Sequence, residues 1–214
     1  MARTKSSNDW IRRHINDEFV KRAQKEGYRS RAAFKLEELD RTDRLLRPGM
    51  VIVDLGSAPG GWAQYAVRRT GRNARVIALD ILPMEPLPGV EFIQGDFSDS
   101  QVLDSLKQRL AGAPVDLVIS DMAPNMSGVA ASDQAKTMFL SELALDFAAQ
   151  TLKSGGNLVV KTFQGEGYPE LHRSMKQQFE KLLTRKPKAS RSESREIYLL
   201  AKGFKGPGTV SETP

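Results

Sequence analysis

The order of apolar runs in this 214-residue chain predicts an α/β fold: a mostly parallel sheet ending in an antiparallel hairpin, with helices on both faces. Three observations carry that expectation. From residue 51 onward, short apolar runs alternate with stretches of helical periodicity. The first run, Val51 to Leu55, passes directly into the glycine-rich turn Gly56-Ser-Ala-Pro-Gly-Gly61 and then a helix. The last two runs are joined by too few residues for a crossover helix, so they must pair antiparallel.

Taken in order, residues 1–8 are polar and read as frayed. A helix is expected from Asn8 or Asp9 to about Gln24, with Trp10, Ile11, Ile15 and Phe19 on one face and Gly27 as its stop. Ser30 is placed to cap a second helix through about Leu39, with Ala32, Leu36 and Leu39 turned inward. Lys35 lies beside that stripe and reads, by itself, as a surface lysine with a snorkelling stem. Strands are expected at 51–55, 75–80, 90–94, 115–120 and 157–163, with helices near 61–70, 101–111, 134–152 and 169–181. Pro83, Pro86 and Pro88 make the connection between the second and third strands a loop. Strand-like pieces near 182–187 and 196–202 form the hairpin. The expected organisation is a basic helical extension (1–49) packed on a core domain (50–205), followed by a flexible tail (206–214).

Composition narrows the chemistry. The chain has no cysteine, which removes disulfides, thiolate metal sites and a cysteine nucleophile. Its two histidines, His14 and His172, are far apart in sequence and read as surface residues, so no metal site is expected. No apolar run reaches membrane-spanning length and the N-terminus is polar, which fits a cytoplasmic protein. We expect a monomer. The net charge of +6 is unevenly spread: +5 over residues 1–49, −5 over 50–171 and +7 over 172–205. Two basic arms around an acidic centre favour a polyanion at the rim, most simply a nucleic acid. A merely solvated surface is the plainer account of the same runs.

The glycine-rich turn reads as a ligand loop at the end of a buried strand. Its pattern is one residue short of the dinucleotide fingerprint, and Asp80 ends the next strand where a ribose-binding acid belongs. That pattern leaves a nicotinamide dinucleotide and S-adenosylmethionine both open. Asp80, Asp96 and Asp121 each stand at or just past a strand end, so a row of carboxylates follows one edge of the sheet. Individually each could be a helix cap. Together they suit the ribose hydroxyls, adenine amine and cationic groups of S-adenosylmethionine and would repel a pyrophosphate. Lys161 lies within Asn157-Leu-Val-Val-Lys-Thr-Phe163, where an unpaired charge is rarely tolerated. A buried structural ion pair with Asp121 and a functional lysine in a cleft are the two readings. If the last strand runs antiparallel, Glu196 begins it at the same edge. Asp54 is expected to be half-buried in support of the turn, and Trp62 to make a backbone contact at the helix start.

At these residues the chain resembles the RrmJ/FtsJ-type (RlmE) 23S ribosomal RNA 2′-O-ribose methyltransferases, from about Arg29 to Phe204. The matching pieces are Ser30-Arg-Ala-Ala-Phe-Lys-Leu36, Asp54-Leu-Gly-Ser-Ala-Pro-Gly-Gly-Trp62, Gln94-Gly-Asp96, Ser120-Asp-Met-Ala-Pro-Asn-Met-Ser-Gly128, Lys161-Thr-Phe-Gln-Gly-Glu-Gly167 and Ser194-Arg-Glu196. The resemblance implies a Rossmann-like class I methyltransferase fold and methyl transfer from S-adenosylmethionine to a uridine ribose 2′-hydroxyl of large-subunit ribosomal RNA, in the assembled subunit. It implies a catalytic tetrad on Lys35, Asp121, Lys161 and Glu196, and cofactor contacts on Gly60, Trp62, Asp80, Asp96 and Asp121. With the rest of the loop, the candidate cofactor set becomes Gly56, Ala58, Pro59, Gly60, Gly61, Trp62, Asp80, Asp96 and Asp121.

The hydroxyl must line up with the sulfonium methyl group, and holding that geometry is expected to be the larger part of catalysis. Lys161 is assigned to the hydroxyl, oriented by Asp121. A lysine's reference pKa near ~10.4 makes it a poor base at neutral pH, so steering the oxygen lone pair is its first role and general-base action is left open. Arg29, Arg31, Arg185, Lys186, Lys188, Arg191 and Arg195 are candidate RNA phosphate contacts. The alternatives are an NAD-dependent oxidoreductase, a base-modifying RNA methyltransferase and a non-catalytic RNA-binding factor. Asp121-Met-Ala-Pro124 lacks the aromatic of the Asn/Asp-Pro-Pro-Tyr motif that base amine methylation uses.

Overall fold

Runs rich in β-branched and apolar residues form strands β1 (Val51–Leu55), β2 (Arg75–Asp80), β3 (Val90–Gln94) and β4 (Val115–Ser120), at the expected bounds. A computed structural model describes residues 17–191 and 194–206. Residues 8–16 of the expected first helix, with Trp10, Ile11, His14 and Ile15, lie outside the described residues. So do residues 207–214 of the expected tail. The described helices are α1 (Glu18–Glu26), α2 (Ala33–Asp43), α3 (Gly61–Thr70), α4 (Ser100–Leu110), α5 (Ala130–Thr151) and α6 (Tyr168–Gln178). Strands β5 (Leu152–Phe163), β6 (Phe179–Arg185) and β7 (Glu196–Phe204) complete one seven-stranded sheet of order β3-β2-β1-β4-β5-β7-β6.

Strands β1 to β5 are mutually parallel. β7 pairs antiparallel with β5 and with β6, so the hairpin closes the sheet as expected. The strand order reverses between β1 and β4, where a crevice opens beyond the strand ends. The sheet is covered on both sides. Val53, Leu55, Leu79, Val118 and Val160 pack beneath α4, α5 and α6, while Ile52, Ala78, Ile119, Val159 and Leu200 pack beneath α2 and α3.

Five local expectations differ from the structure, the plainest being α5, which starts at Ala130, four residues before the expected 134. Ser30 does not cap α2: the N-cap is Ala32 without a side-chain bond, and α2 runs four residues past Leu39 to Asp43. Ser30 Oγ is buried without a partner and lies where α3 approaches, so close that a Cβ on Gly61 would fall 2.3 Å from it. β5 begins at Leu152, because that residue pairs with Val115 before the register shifts and resumes at Asn157. α6 stops at Gln178 and β6 starts at Phe179, which pairs with Phe204 across the strands with ring centroids 5.4 Å apart. That tertiary contact overrides a run whose spacing is also compatible with a helix. Asp54 is fully buried rather than half-buried.

The connection from Ile81 to Gly89 is a loop, as its prolines require. Gly27 ends α1 in the left-handed conformation at φ 68°, with Asp17 capping its start through the Phe19 and Val20 amides.

Candidate active site

The C-terminal ends of β1, β2 and β4 and the turn after β3 open onto a cleft of about 600 Å³. Gly56, Ala58, Asp80, Asp96, Asp121 and, from α5, Phe139 are among the residues that form its walls. Each of the first two acids is held by its own neighbourhood. Asp80 accepts from the Ala58 and Leu82 amides, both at 2.8 Å, tying the end of β2 to the glycine-rich turn. Asp96 accepts from the Ser98 amide at 2.9 Å and its hydroxyl at 2.7 Å, and that amide holds its carboxyl below the usual range. A carboxylate offers about four lone pairs, so both keep acceptor capacity facing the cleft.

Asp121 joins this edge to a second group of charges. Lys161 Nζ donates to Asp121 Oδ1 at 3.0 Å and to its backbone oxygen at 2.5 Å. Lys35 Nζ pairs with Glu196 Oε1 at 2.7 Å and lies 4.0 Å from Asp121 Oδ1. Tyr198 links the pairs: its hydroxyl donates to Asp121 Oδ1 at 2.7 Å and accepts from Lys35 Nζ at 3.1 Å. All four ionisable side chains are mostly covered, with exposures of 8–16%. The Lys35 side chain is therefore a member of a charge network and not a surface lysine. Burial pushes the Asp121 carboxyl up, yet Lys161, Lys35 and the Tyr198 hydroxyl together hold it below its ordinary value.

The sheet explains the convergence. Antiparallel pairing sets Lys161 opposite Tyr198 and Phe163 opposite Glu196, so the start of β7 meets the end of β5. Lys35 arrives from α2 over the same face. Tyr198 was not among the sequence candidates. Its signal was available: it stands two residues beyond Glu196 and so shares its strand face, in an apolar run that buries its ring fully. Burial and Asp121 push its hydroxyl well above the ordinary tyrosine value, so it remains a neutral donor.

Several expected cofactor residues stand behind the cleft wall. Gly60 and Gly61 are buried against Met84, Arg29 and Ser30, where a Cβ would fall within 3.3 Å of each. Trp62 is 2% exposed, and its ring donates to Ala32 O at 2.8 Å and packs 5.7 Å from the Tyr198 ring, so the ring is a core element and not part of the cleft wall. Pro59 is exposed outside the cleft, beside Met84 and Pro86, and its carbonyl accepts from Arg29. Gly56 differs: at φ 76° it brings the turn so near Met122 that a Cβ would lie 2.7 Å from it. Asp54 lies under the start of α3; burial, followed by Asp121, raises its carboxyl well above the usual range, against the Ala63 amide.

The seven expected RNA cations divide. Arg29 donates to the carbonyls of Pro59, Glu85 and Pro86, strapping the 81–89 loop. Arg31 pairs with Asp17 at 2.7 Å and donates to Ala189 O. Arg185 forms a two-pronged pair with Asp43 at 2.8 and 2.9 Å. These three are structural ties. Lys186, Lys188, Arg191 and Arg195 are exposed on the β6–β7 connection, although Lys186 Nζ also donates to Ser194 O at 3.0 Å. Among the described residues no cluster of three or more acidic or histidine side chains is arranged to hold a metal ion, and no helix is long and apolar enough to cross a membrane.

The chain as a whole has counterparts among known proteins. The family model for FtsJ-like methyltransferases matches residues 28–204. A protein of Marinobacter nauticus named ribosomal RNA large subunit methyltransferase E is 57% identical over 96% of this chain and 99% of its own length. One of the same name from Cellvibrio japonicus is 56% identical over 99% of this chain and all of its own. A crystal structure described as a ribosomal RNA methyltransferase, putative, from Plasmodium falciparum superposes with a TM-score of 0.76 at 35% identity, covering 84% of this chain and all of that one. With the family match spanning all seven strands and every residue of the charge network, the chain is a member of the FtsJ-like methyltransferase family.

Proposed function

We propose that this methyltransferase moves a methyl group from S-adenosylmethionine to the ribose 2′-hydroxyl of a uridine in large-subunit (23S) ribosomal RNA, in the assembled subunit. The substrate class follows the names of its relatives. The observation that carries the chemistry is Lys161, a nearly buried ammonium fixed on Asp121 at the border of the carboxylate-lined cleft.

The donor set suits S-adenosylmethionine. Asp80 answers ribose hydroxyls, Asp96 an adenine edge, and Asp121 a cationic amino acid head. Bound there, the cofactor supplies an electrophilic sulfonium methyl group. The same acids would oppose a dinucleotide pyrophosphate, which argues against the oxidoreductase reading.

Two of the three Lys161 N–H groups are engaged by Asp121, which leaves one to direct at the substrate. Donating it to one lone pair of the 2′-oxygen aims another at the methyl group, so the lysine acts by orientation. The hydroxyl proton leaves as the carbon–oxygen bond forms, and the products are the methyl ether, the thioether and H⁺. Tyr198 also holds Asp121, through the same Oδ1 that takes Lys161, and the Lys35–Glu196 pair completes the border nearest the ribose and phosphate. Exposed Lys188, Arg191 and Arg195, on the connection that leads into Glu196, supply phosphate contacts.

Incubation with radiolabelled S-adenosylmethionine and ribosomal subunits from a strain lacking the activity, followed by digestion to nucleosides, should yield 2′-O-methyluridine. Label on a base, or no transfer, overturns the proposal.

A further inference from the structure

The first turns of α5 carry a column of buried polar side chains that the chemistry above does not use. Asp133, Thr137 and Ser141, spaced four residues apart on one helix face, are only 1–2% exposed. The Asp133 carboxylate accepts from the Ser127 amide at 2.7 Å, the Ser127 hydroxyl at 2.8 Å and the Gly128 amide at 3.0 Å. Those bonds, the Ser127 amide first, hold the carboxyl below its ordinary value. The Thr137 hydroxyl donates to Asp133 O at 2.8 Å. The Ser141 hydroxyl lies 2.9 Å from Thr137 O and 3.2 Å from Lys161 O. Gln134 donates to Phe163 O at 3.3 Å and Glu166 O at 2.9 Å.

Another side of the same helix turns Lys136, Phe139 and Leu140 into the cleft. One helix end therefore grips the loop after β4, the end of β5 and the cleft wall together. A charged side chain is a costly way to hold a loop that apolar contacts could cover. What it supplies is a single geometry, because three donors from two adjacent residues must all point at one carboxylate.

We propose that Asp133 is a positioning residue for the cofactor: through Ser127 and Gly128 it fixes the Met122–Asn125 segment as a wall of the cleft. The inference rests on reading that cleft as the S-adenosylmethionine site. Releasing the clasp lets the segment sample open arrangements, and apparent affinity falls by the fraction of molecules still closed. Lys161 is held on Asp121, which β1 anchors through the bond from the Asp121 amide to Leu55 O, and its backbone oxygen lies against Ser141, so turnover at saturating cofactor changes little.

The test is calorimetric titration of the full chain with S-adenosylmethionine, beside thermal melts and methyl-transfer kinetics. In Asp133→Asn the amide NH₂ faces the Gly128 amide. The Kd and the cofactor KM should rise about tenfold, with kcat within about threefold of wild type. Ser127→Ala removes one of the three bonds and should raise Kd about threefold. Asp116 makes a comparable clasp at the opposite end of the sheet, accepting the Val51 amide at 2.7 Å and pairing with Lys153 at 2.5 Å. Asp116→Asn should lower Tm and leave Kd unchanged.

Unchanged affinity in Asp133→Asn, or an equal loss in Asp116→Asn, overturns the proposal while leaving the cleft reading intact. Should Asp133→Asn fail to fold, unchanged affinity in Ser127→Ala overturns it. A wild-type chain that takes up no S-adenosylmethionine removes the cleft reading and this inference together.

Discussion

The two halves of the candidate active edge are built on different plans. Asp80 and Asp96 are each fixed by amides or hydroxyls two residues ahead, with Ala58 as the one distant donor. Lys35, Asp121, Lys161, Tyr198 and Glu196 are fixed by one another, through bonds whose ends lie 40 to 163 residues apart. A locally held acid can be changed with local consequences. A network member cannot, because each partner left behind is a charge or hydroxyl in poor contact with water.

The largest effect should come from removing the lysine at the centre of the network. In Lys161→Met, methyl transfer should fall by roughly 10²- to 10⁴-fold, the range for losing a group that handles the substrate hydroxyl. S-adenosylmethionine affinity should stay within about threefold, since Asp80 and Asp96 keep their own donors and Asp121 keeps Tyr198 and Lys35. Single-turnover transfer and calorimetry check the two halves separately. Turnover close to wild type would remove Lys161 from the mechanism.

Additivity separates the two plans next. Lys35→Met and Glu196→Gln break the same 2.7 Å pair. The double variant should therefore be more stable than the sum of the singles predicts, with a coupling of about 1–3 kcal/mol in urea unfolding. Asp80→Asn and Asp96→Asn share no donor, so their losses of cofactor affinity should add within about 0.5 kcal/mol. Additive behaviour in the first pair would show that the network is only a set of neighbours.

A smaller effect sorts the basic residues. Substituting alanine at Lys188, Arg191 or Arg195 should weaken RNA binding a few-fold and reduce the log–log salt slope by about one each. Arg29→Ala, Arg31→Ala and Arg185→Ala should lower Tm and leave the slope unchanged, because each guanidinium is already tied to a carbonyl or carboxylate of the chain. Filter binding between 50 and 300 mM salt, about the range over which such slopes are read, decides it. A reduced slope in Arg185→Ala would reassign that residue to the RNA.

These differences also explain what the sequence discloses. Strands such as Val51–Leu55 and Arg75–Asp80 are apolar runs with clear stops, and a strand end is where an acid becomes visible as a site candidate. Lys161 stands out because it interrupts such a run. Ser30 misleads because cap preference is a local rule, and at this position the approach of α3 decides the geometry. Arg29, Arg31 and Arg185 look like phosphate ligands because composition records a charge but not the carbonyl or carboxylate that already occupies it. Asp133 is hidden among ordinary residues at the start of a helix, and only the fold brings Ser127 and Gly128 back onto it.

Asp54 sharpens the comparison at its finest scale, because it is a buried acid with neither a local pair of donors nor a cation. Its carboxyl is pushed well above the ordinary value by burial, whereas that of Asp121 is held low by its ammonium partners. The two must act on stability with opposite pH signs. Asp121 contributes stability that is present above the unfolded-state pKa near ~3.9 and lost as pH falls through its lower folded value. For Asp54 the unfolded chain releases its proton first as pH rises through that same value. The folded state then binds more protons, and stability is lost up to the raised folded pKa. Asp54→Asn keeps the shape and removes the titration, so its stability relative to wild type should improve from pH 5 to pH 8. Urea unfolding at those two pH values measures the change. A difference that stays constant would mean that Asp54 is ionised across the range, held by the α3 amides as the strand-end acids are held by theirs.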